Sequence, residues 1–207
     1  MKNKVILIIL FCVICLSILA GCDSADELLP ASEAYDAFEV RLANTSALSA
    51  YDLTVTSTLG NDRQTIRYVL TTNALGEPVA MKGTNGETEY YVRGVRYFSE
   101  GGRLMKAAIS LDDFLSVSRS DFVPEADRVS SVESLKDGVA FDYASADFDA
   151  LRITAYFDGV FLKTISAEAS YSDNGQEIVR SVSYEYKNPG QLPEINLPEN
   201  LDEYGWL

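Results

Sequence analysis

Histidine is absent from the 207 residues. That absence removes Ser-His and Cys-His nucleophiles, His-ligated metal sites and the usual pH switch near neutrality. Cysteine occurs three times, at 12, 15 and 22, and never in the long body that follows, so that body holds no disulfide. Cations are few as well. Seventeen Lys and Arg face 31 Asp and Glu, a net charge of −14, which argues against a nucleic-acid partner because phosphate backbones are held by clustered Lys and Arg. Also missing are G-x-S-x-G, S-x-x-K, G-x-G-x-x-G and the P-loop. With 47% apolar and 23% charged residues the composition is that of a folded body, and the length suits one domain.

The first 22 residues stand apart. Lys2 and Lys4 form a basic head, Val5 to Ile18 is a nearly unbroken apolar run, and Leu19-Ala20-Gly21-Cys22 follows. Fourteen residues is short for a hydrocarbon core of about 30 Å, which takes about 20, so the run reads as a secretory signal and not as a span. Leu19-Ala20-Gly21-Cys22 resembles the lipobox of bacterial lipoproteins. The resemblance implies cleavage between Gly21 and Cys22, a diacylglycerol on the Cys22 thiol, and residence on the extracytoplasmic face of the cell membrane. The alternative is a plain signal peptide or uncleaved anchor in which Cys22 is incidental. Cys12-x-x-Cys15 lies inside the apolar run and is set aside with it. Loss of Lys2 and Lys4 leaves 15 cations against 31 acids, a net −16, so the mature body is repelled by anionic lipid.

Residues 22–30 read as a lipidated tether and 31–207 as a single domain, without repeats or a composition break. Ala34, Tyr35, Phe38 and Leu42 recur at helical spacing, which predicts a helix from Ala31 to Leu48. From Tyr51 the period becomes two. Leu53, Val55 and Leu59 alternate with Asp52, Thr54 and Thr56, and turn residues punctuate the chain at Gly60, Gly76, Asn85-Gly86, Gly94 and Gly101-Gly102. Ser110 to Asp113 has the pattern of a helix N-cap, with Leu111, Phe114 and Leu115 on one face and Pro124 limiting its length. Strands resume over 129–135, 139–143, 151–157, 160–171 and 178–187, and a proline-bearing tail with the sole tryptophan, Trp206, is predicted to be extended. The fold class expected is α+β, mainly β: one large curved antiparallel sheet of about ten strands, with the helices covering its concave face.

The order of helix, meander, helix, meander and tail resembles the LolA-like half-barrel. The stretches closest to that pattern are Tyr90-Tyr91-Val92-Arg93-Gly94-Val95-Arg96-Tyr97 and Ser183-Tyr184-Glu185-Tyr186-Lys187-Asn188. That fold serves lipoprotein carriers of Gram-negative periplasms and lipid-binding mycobacterial lipoproteins, and the layout also resembles that of many Gram-positive lipoproteins. The resemblance implies a hydrophobic ligand, a lipid or acyl chain, held in an apolar groove.

Paired acids at Asp112-Asp113, Asp147 with Asp149, and Asp202-Glu203 do not make a glycosidase pair, which needs two carboxyls facing each other across a cleft. Asp173-Asn174-Gly175 lacks the other ligands of a calcium loop and reads as a turn, and Asn44-Thr45-Ser46 is a sequon without consequence in a bacterial lipoprotein. No catalytic residue, metal or cofactor is expected. Aromatic side chains are the suggestive supply. Tyr68, Tyr90, Tyr97, Phe141, Tyr143, Phe161, Tyr184 and Tyr186 are expected on the apolar strand faces, either packing the sheet against its helices or lining an apolar groove. Two functions follow: a membrane-anchored lipoprotein binding a hydrophobic ligand, or a cell-surface interaction or sensor module that docks a membrane-bound protein and has a packed core.

Overall fold

The computed structural model describes residues 30–115, 128–144, 148–173 and 175–207. Helix α1 (Ala31–Ser46) is followed by a meander of six strands: β1 (Tyr51–Leu59), β2 (Asp62–Thr72), β3 (Pro78–Thr84), β4 (Glu87–Val92), β5 (Val95–Glu100) and β6 (Arg103–Ala108). A single helical turn, α2 (Leu111–Phe114), comes next. A second meander holds β7 (Val129–Leu135), β8 (Gly138–Tyr143), β9 (Ala150–Asp158), β10 (Phe161–Asp173) and β11 (Gln176–Tyr186). The tail ends in a 3-10 turn, Leu201–Glu203, and the two-residue strand β12 (Gly205–Trp206).

All twelve strands form one open, curved sheet in the order β12-β6-β5-β4-β3-β2-β1-β11-β10-β9-β8-β7. The meanders meet at a seam where β1 pairs antiparallel with β11, Leu53 opposite Tyr186. The expectation of a mainly β, curved sheet under helices holds. Two details differ: the described residues form twelve strands, and β12 pairs parallel with β6, so the sheet is mixed at that edge. The tail is long enough to return to the far edge of the sheet, where β6 offers unpaired backbone groups.

Local chemistry accounts for the elements. Asn85 and Gly86 both take positive φ, 51° and 87°, as a two-residue hairpin between β3 and β4 requires. Ser110 caps α2 as its sequence predicts: its Oγ accepts the Asp113 N–H at 3.1 Å and donates to Asp113 Oδ2 at 2.6 Å.

Helix α1 lies over β7, β8 and β10. Phe38 and Tyr35 meet Phe141 edge-on at centroid separations of 5.0 and 5.5 Å, and Ala34, Leu53, Val139, Ile153 and Leu162 complete a buried core. The C-terminal half of α1 is tied to the β9–β10 turn, since Arg41 Nε donates to the Gly159 carbonyl at 3.0 Å and Asn44 Nδ2 to that of Val160 at 2.9 Å. Helix α2 covers the other meander through Phe114, which packs on Ala80 and Tyr91.

Strand register assigns every side chain to a face, because neighbours directly opposite share one. Leu53, Tyr68, Ala80 and Tyr91 share the concave, helix-bearing face, through the pairs Leu53 with Tyr68, Leu70 with Ala80 and Ala80 with Tyr91. Val69, Met81, Tyr90 and Tyr97 share the convex face. Over the second meander the convex face is polar, with Asp142 accepting from Ser131 at 2.7 Å and Arg152 at 2.9 Å. Over the first it carries the Asp52–Arg67 ion pair near the seam and an apolar strip of Val69, Met81, Tyr90 and Tyr97. The tail lies at the Tyr97 end of that strip: Tyr204 is buried with its ring 5.4 Å from that of Tyr97, and the Leu207 N–H reaches the Lys106 carbonyl at 3.0 Å.

Candidate functional site

Covering each meander with its own helix leaves the seam strands between the two covers. A cavity of ≈ 370 Å³ opens there, floored by Tyr51, Leu53, Leu70, Ile165 and Tyr186. The last turn of α1 and the connection after it form one wall with Leu42, Thr45, Ser46 and Leu48, and α2 forms the other with Leu111, Asp112 and Leu115. Eight of the thirteen lining residues are Leu or Ile, and the other five, Thr45, Ser46, Tyr51, Asp112 and Tyr186, give the cavity a substantial polar fringe. Its volume falls at the lower end of the range typical of small-molecule sites, about 300 to 1,000 Å³.

The wall on the α1 side is held in place by one hydroxyl. Thr45 Oγ1 donates to the Arg41 carbonyl at 2.8 Å and accepts the N–H of Leu162, also at 2.8 Å. Leu162 stands where the β9–β10 register shifts by a bulge, so its N–H points out of the ladder and needs an acceptor from elsewhere. On the floor, Tyr51 and Tyr186 pack edge-on with ring centroids 6.5 Å apart. Burial pushes the Tyr186 phenol up to about 12, with the neighbouring tyrosines Tyr51 and Tyr184 adding to the shift. Tyr186 is therefore a neutral hydrogen-bond donor at any physiological pH.

Tyr68 lies beside this floor, opposite Leu53 in register and fully buried. Its hydroxyl has no hydrogen-bond partner among the described residues, and burial raises its pKa above the ordinary phenol value. The Lys82 ammonium stands 5.8 Å from its ring centroid, and Lys82 faces Glu89, which Arg96 binds through two bonds of 2.9 and 2.7 Å.

Of the eight aromatic residues expected on a groove wall, five lie on the concave face and one of those, Tyr186, lines the cavity. Phe141 and Tyr184 are buried on that face in the core, Tyr143 is half-buried against it, and Tyr68 is buried beside the floor without lining the cavity. Tyr90, Tyr97 and Phe161 are corrected to the convex face. Tyr90 and Tyr97 pair with each other there, and Phe161 packs so closely on Gly190 that a Cβ at that position would stand 2.6 Å from its ring. The reason is parity: Tyr90-Tyr91-Val92 is apolar on both sides, and it is Tyr91 that meets α2. Missed in the sequence as site residues were Thr45, Leu162 and the leucines of the seam; the alternation of Leu53 with Asp52 and Thr54 was the signal available for one of them.

Gly21 and Cys22, with Cys12, Cys15, Pro124 and Asp147, lie outside the described residues, as do the side chains of Asp173 and Asn174. Asp113 is used as the cap of α2, and Glu203 accepts from Asn200 within the tail, so neither belongs to a carboxylate pair across a cleft. Among the described residues no group of three or more Cys, Asp or Glu is arranged to hold a metal ion, and no helix is long and apolar enough to cross a membrane.

No protein-family model matches the chain, and no curated protein matches it in sequence. Among solved structures it is similar to the crystal structure of LprF from Mycobacterium bovis, at 11% identity and a TM-score of 0.42, over 81% of this chain and 98% of that one. The likeness is loose. No property of LprF passes to this chain on those numbers.

Proposed function

We propose that the protein is a membrane-anchored, extracytoplasmic lipoprotein that holds a hydrophobic ligand, a lipid or acyl chain, between α1 and α2. The observation that carries this reading is the ≈ 370 Å³ leucine-lined cavity at the seam of the two meanders. A methylene fills about the volume of a water, ~30 Å³, so the space matches a single chain of about twelve carbons. Burying such a chain is favourable by ~0.8 kcal/mol per methylene before the costs of ordering it. The lipobox-like Leu19-Ala20-Gly21-Cys22 supports the anchor, since a lipidated Cys22 places the domain at the membrane, where such chains are found. With no histidine and no nucleophile motif, binding and not catalysis is the activity proposed.

The chain from Asp23 onward contains every described element, all within one continuous sheet and its two covers. Purified from cells and analysed by denaturing mass spectrometry, it should release a lipid species in near-stoichiometric amount. Repeated preparations without any lipid, together with no uptake of added single-chain lipid, would refute the reading. They would favour instead a surface module that docks a membrane-bound protein through a packed core, for which crosslinking in intact cells should yield one dominant adduct.

A further inference from the structure

The charges around the cavity restrict what it accepts. Among the described residues its fringe consists of Thr45, Ser46, Tyr51, Tyr186 and Asp112, and none of its lining residues is a Lys or Arg. Among the described residues, the cations adjacent in the chain to lining residues are Arg41, Lys163 and Lys187, and none of them lines the cavity. Arg41, one turn before Thr45, donates to the carbonyls of Ala37 and Gly159 at 3.0 Å each, and its guanidinium lies 4.4 Å from the Phe157 ring centroid. Lys163 and Lys187 directly follow the lining residues Leu162 and Tyr186, and both are exposed and absent from the lining. Among the described residues the one formal charge on the fringe is the carboxylate of Asp112, exposed on the first turn of α2.

An anionic head at this site would lose water, meet no countercharge and stand near a carboxylate, on a chain whose net charge is −14. An uncharged head loses far less. The hydroxyls of Ser46 and Tyr186 suit an alcohol or glycerol, which both gives and takes hydrogen bonds. The seam itself shows the same preference: the surroundings that keep the Tyr186 phenol protonated to about 12 disfavour any negative charge beside it.

From these observations we infer that the cavity selects single-chain lipids with an uncharged, hydroxyl-bearing head and excludes fatty-acid anions and anionic phospholipids. The inference rests on the reading of this cavity as the lipid site, and it adds the class of ligand. It also makes Asp112 a specificity determinant that acts through its charge at the fringe.

The test uses 1-dodecanol and dodecanoate, which share a chain and differ in the head. Each is titrated below its aggregation limit into the chain from Asp23 at about pH 8, where dodecanoate is ionised. The deciding quantity is the ratio of the two affinities in wild type and in Asp112→Lys, because the variant cancels the intrinsic difference in the water solubility of the two ligands. Dodecanol should bind at least about tenfold tighter to wild type, and the ratio should fall about tenfold in Asp112→Lys and part of the way in Asp112→Asn. Asp112→Asn, neutral and nearly isosteric at an exposed position, keeps the test in hand should the lysine variant fold poorly. Dodecanoate binding as tightly as dodecanol, or a ratio unmoved by both substitutions, overturns the inference and leaves lipid binding standing. Binding of neither ligand overturns both.

Discussion

Thr45 on α1 and Leu162 on β10 are 117 residues apart and are joined by a buried 2.8 Å hydrogen bond from the Leu162 backbone N–H to the Thr45 hydroxyl. The bond fills a vacancy that the β-bulge at Leu162 creates, and it fixes the end of α1 against the sheet where the cavity begins. Thr45→Val keeps the shape and removes the acceptor, leaving a buried N–H without a partner. A loss of about 1–3 kcal/mol is expected in urea unfolding, with Thr45→Ser losing less. Equal stability of the valine variant and wild type would contradict this account of the bond.

Cys22 tests the anchor. Cys22→Ser should abolish incorporation of a fatty-acid probe in growing cells, because an alcohol is a poor substitute for the thiolate in lipid transfer. No cysteine follows residue 22 to replace it. The folded domain should melt unchanged, and equal labelling of wild type and variant would show that the lipobox reading is wrong.

The tail closes the first meander on its convex side. Tyr204 is buried against Tyr97, with ring planes at 82°, and burial raises its pKa above the usual phenol range. Tyr204→Ala should cost about 2–4 kcal/mol, the range for removing a large buried ring, and should increase binding of a hydrophobic dye as the Tyr90 and Tyr97 strip is uncovered. A melting temperature within a degree or so of wild type would mean that the tail rests on the sheet without stabilising it.

Alkali should unfold the protein earlier than an average sheet, through Tyr186. Its folded value of about 12 exceeds the unfolded value near 10, so the folded state holds the proton more tightly. The stability contributed by the neutral phenol is complete below about pH 10 and is lost as pH rises through about 12, to a total of ~3 kcal/mol at most. Buried Tyr68 adds a shift of the same sign. Comparing urea unfolding at about pH 9 and pH 11.5, Tyr186→Phe should lose less stability than wild type. Identical losses would remove Tyr186 as the source.

The strands and hairpins were legible in the sequence because their causes are local. Asn85-Gly86 takes the positive φ values of a two-residue turn, and Leu53 and Val55 alternate with Asp52 and Thr54 along β1. The caps of α2 were legible for the same reason, since Ser110 and Asp113 are three residues apart. The cavity was not. It exists because β1 and β11, at opposite ends of the sheet-forming chain, form the seam, and because each helix settles over a different meander. Nor could the sequence assign the faces of β4, where Tyr90, Tyr91 and Val92 offer an apolar side chain to either parity. Tertiary structure decided both. Pairing between distant strands sets which parity meets a helix, and the tail buries the other parity, so that Tyr91 lies under Phe114 while Tyr97, the register partner of Tyr90, lies under Tyr204.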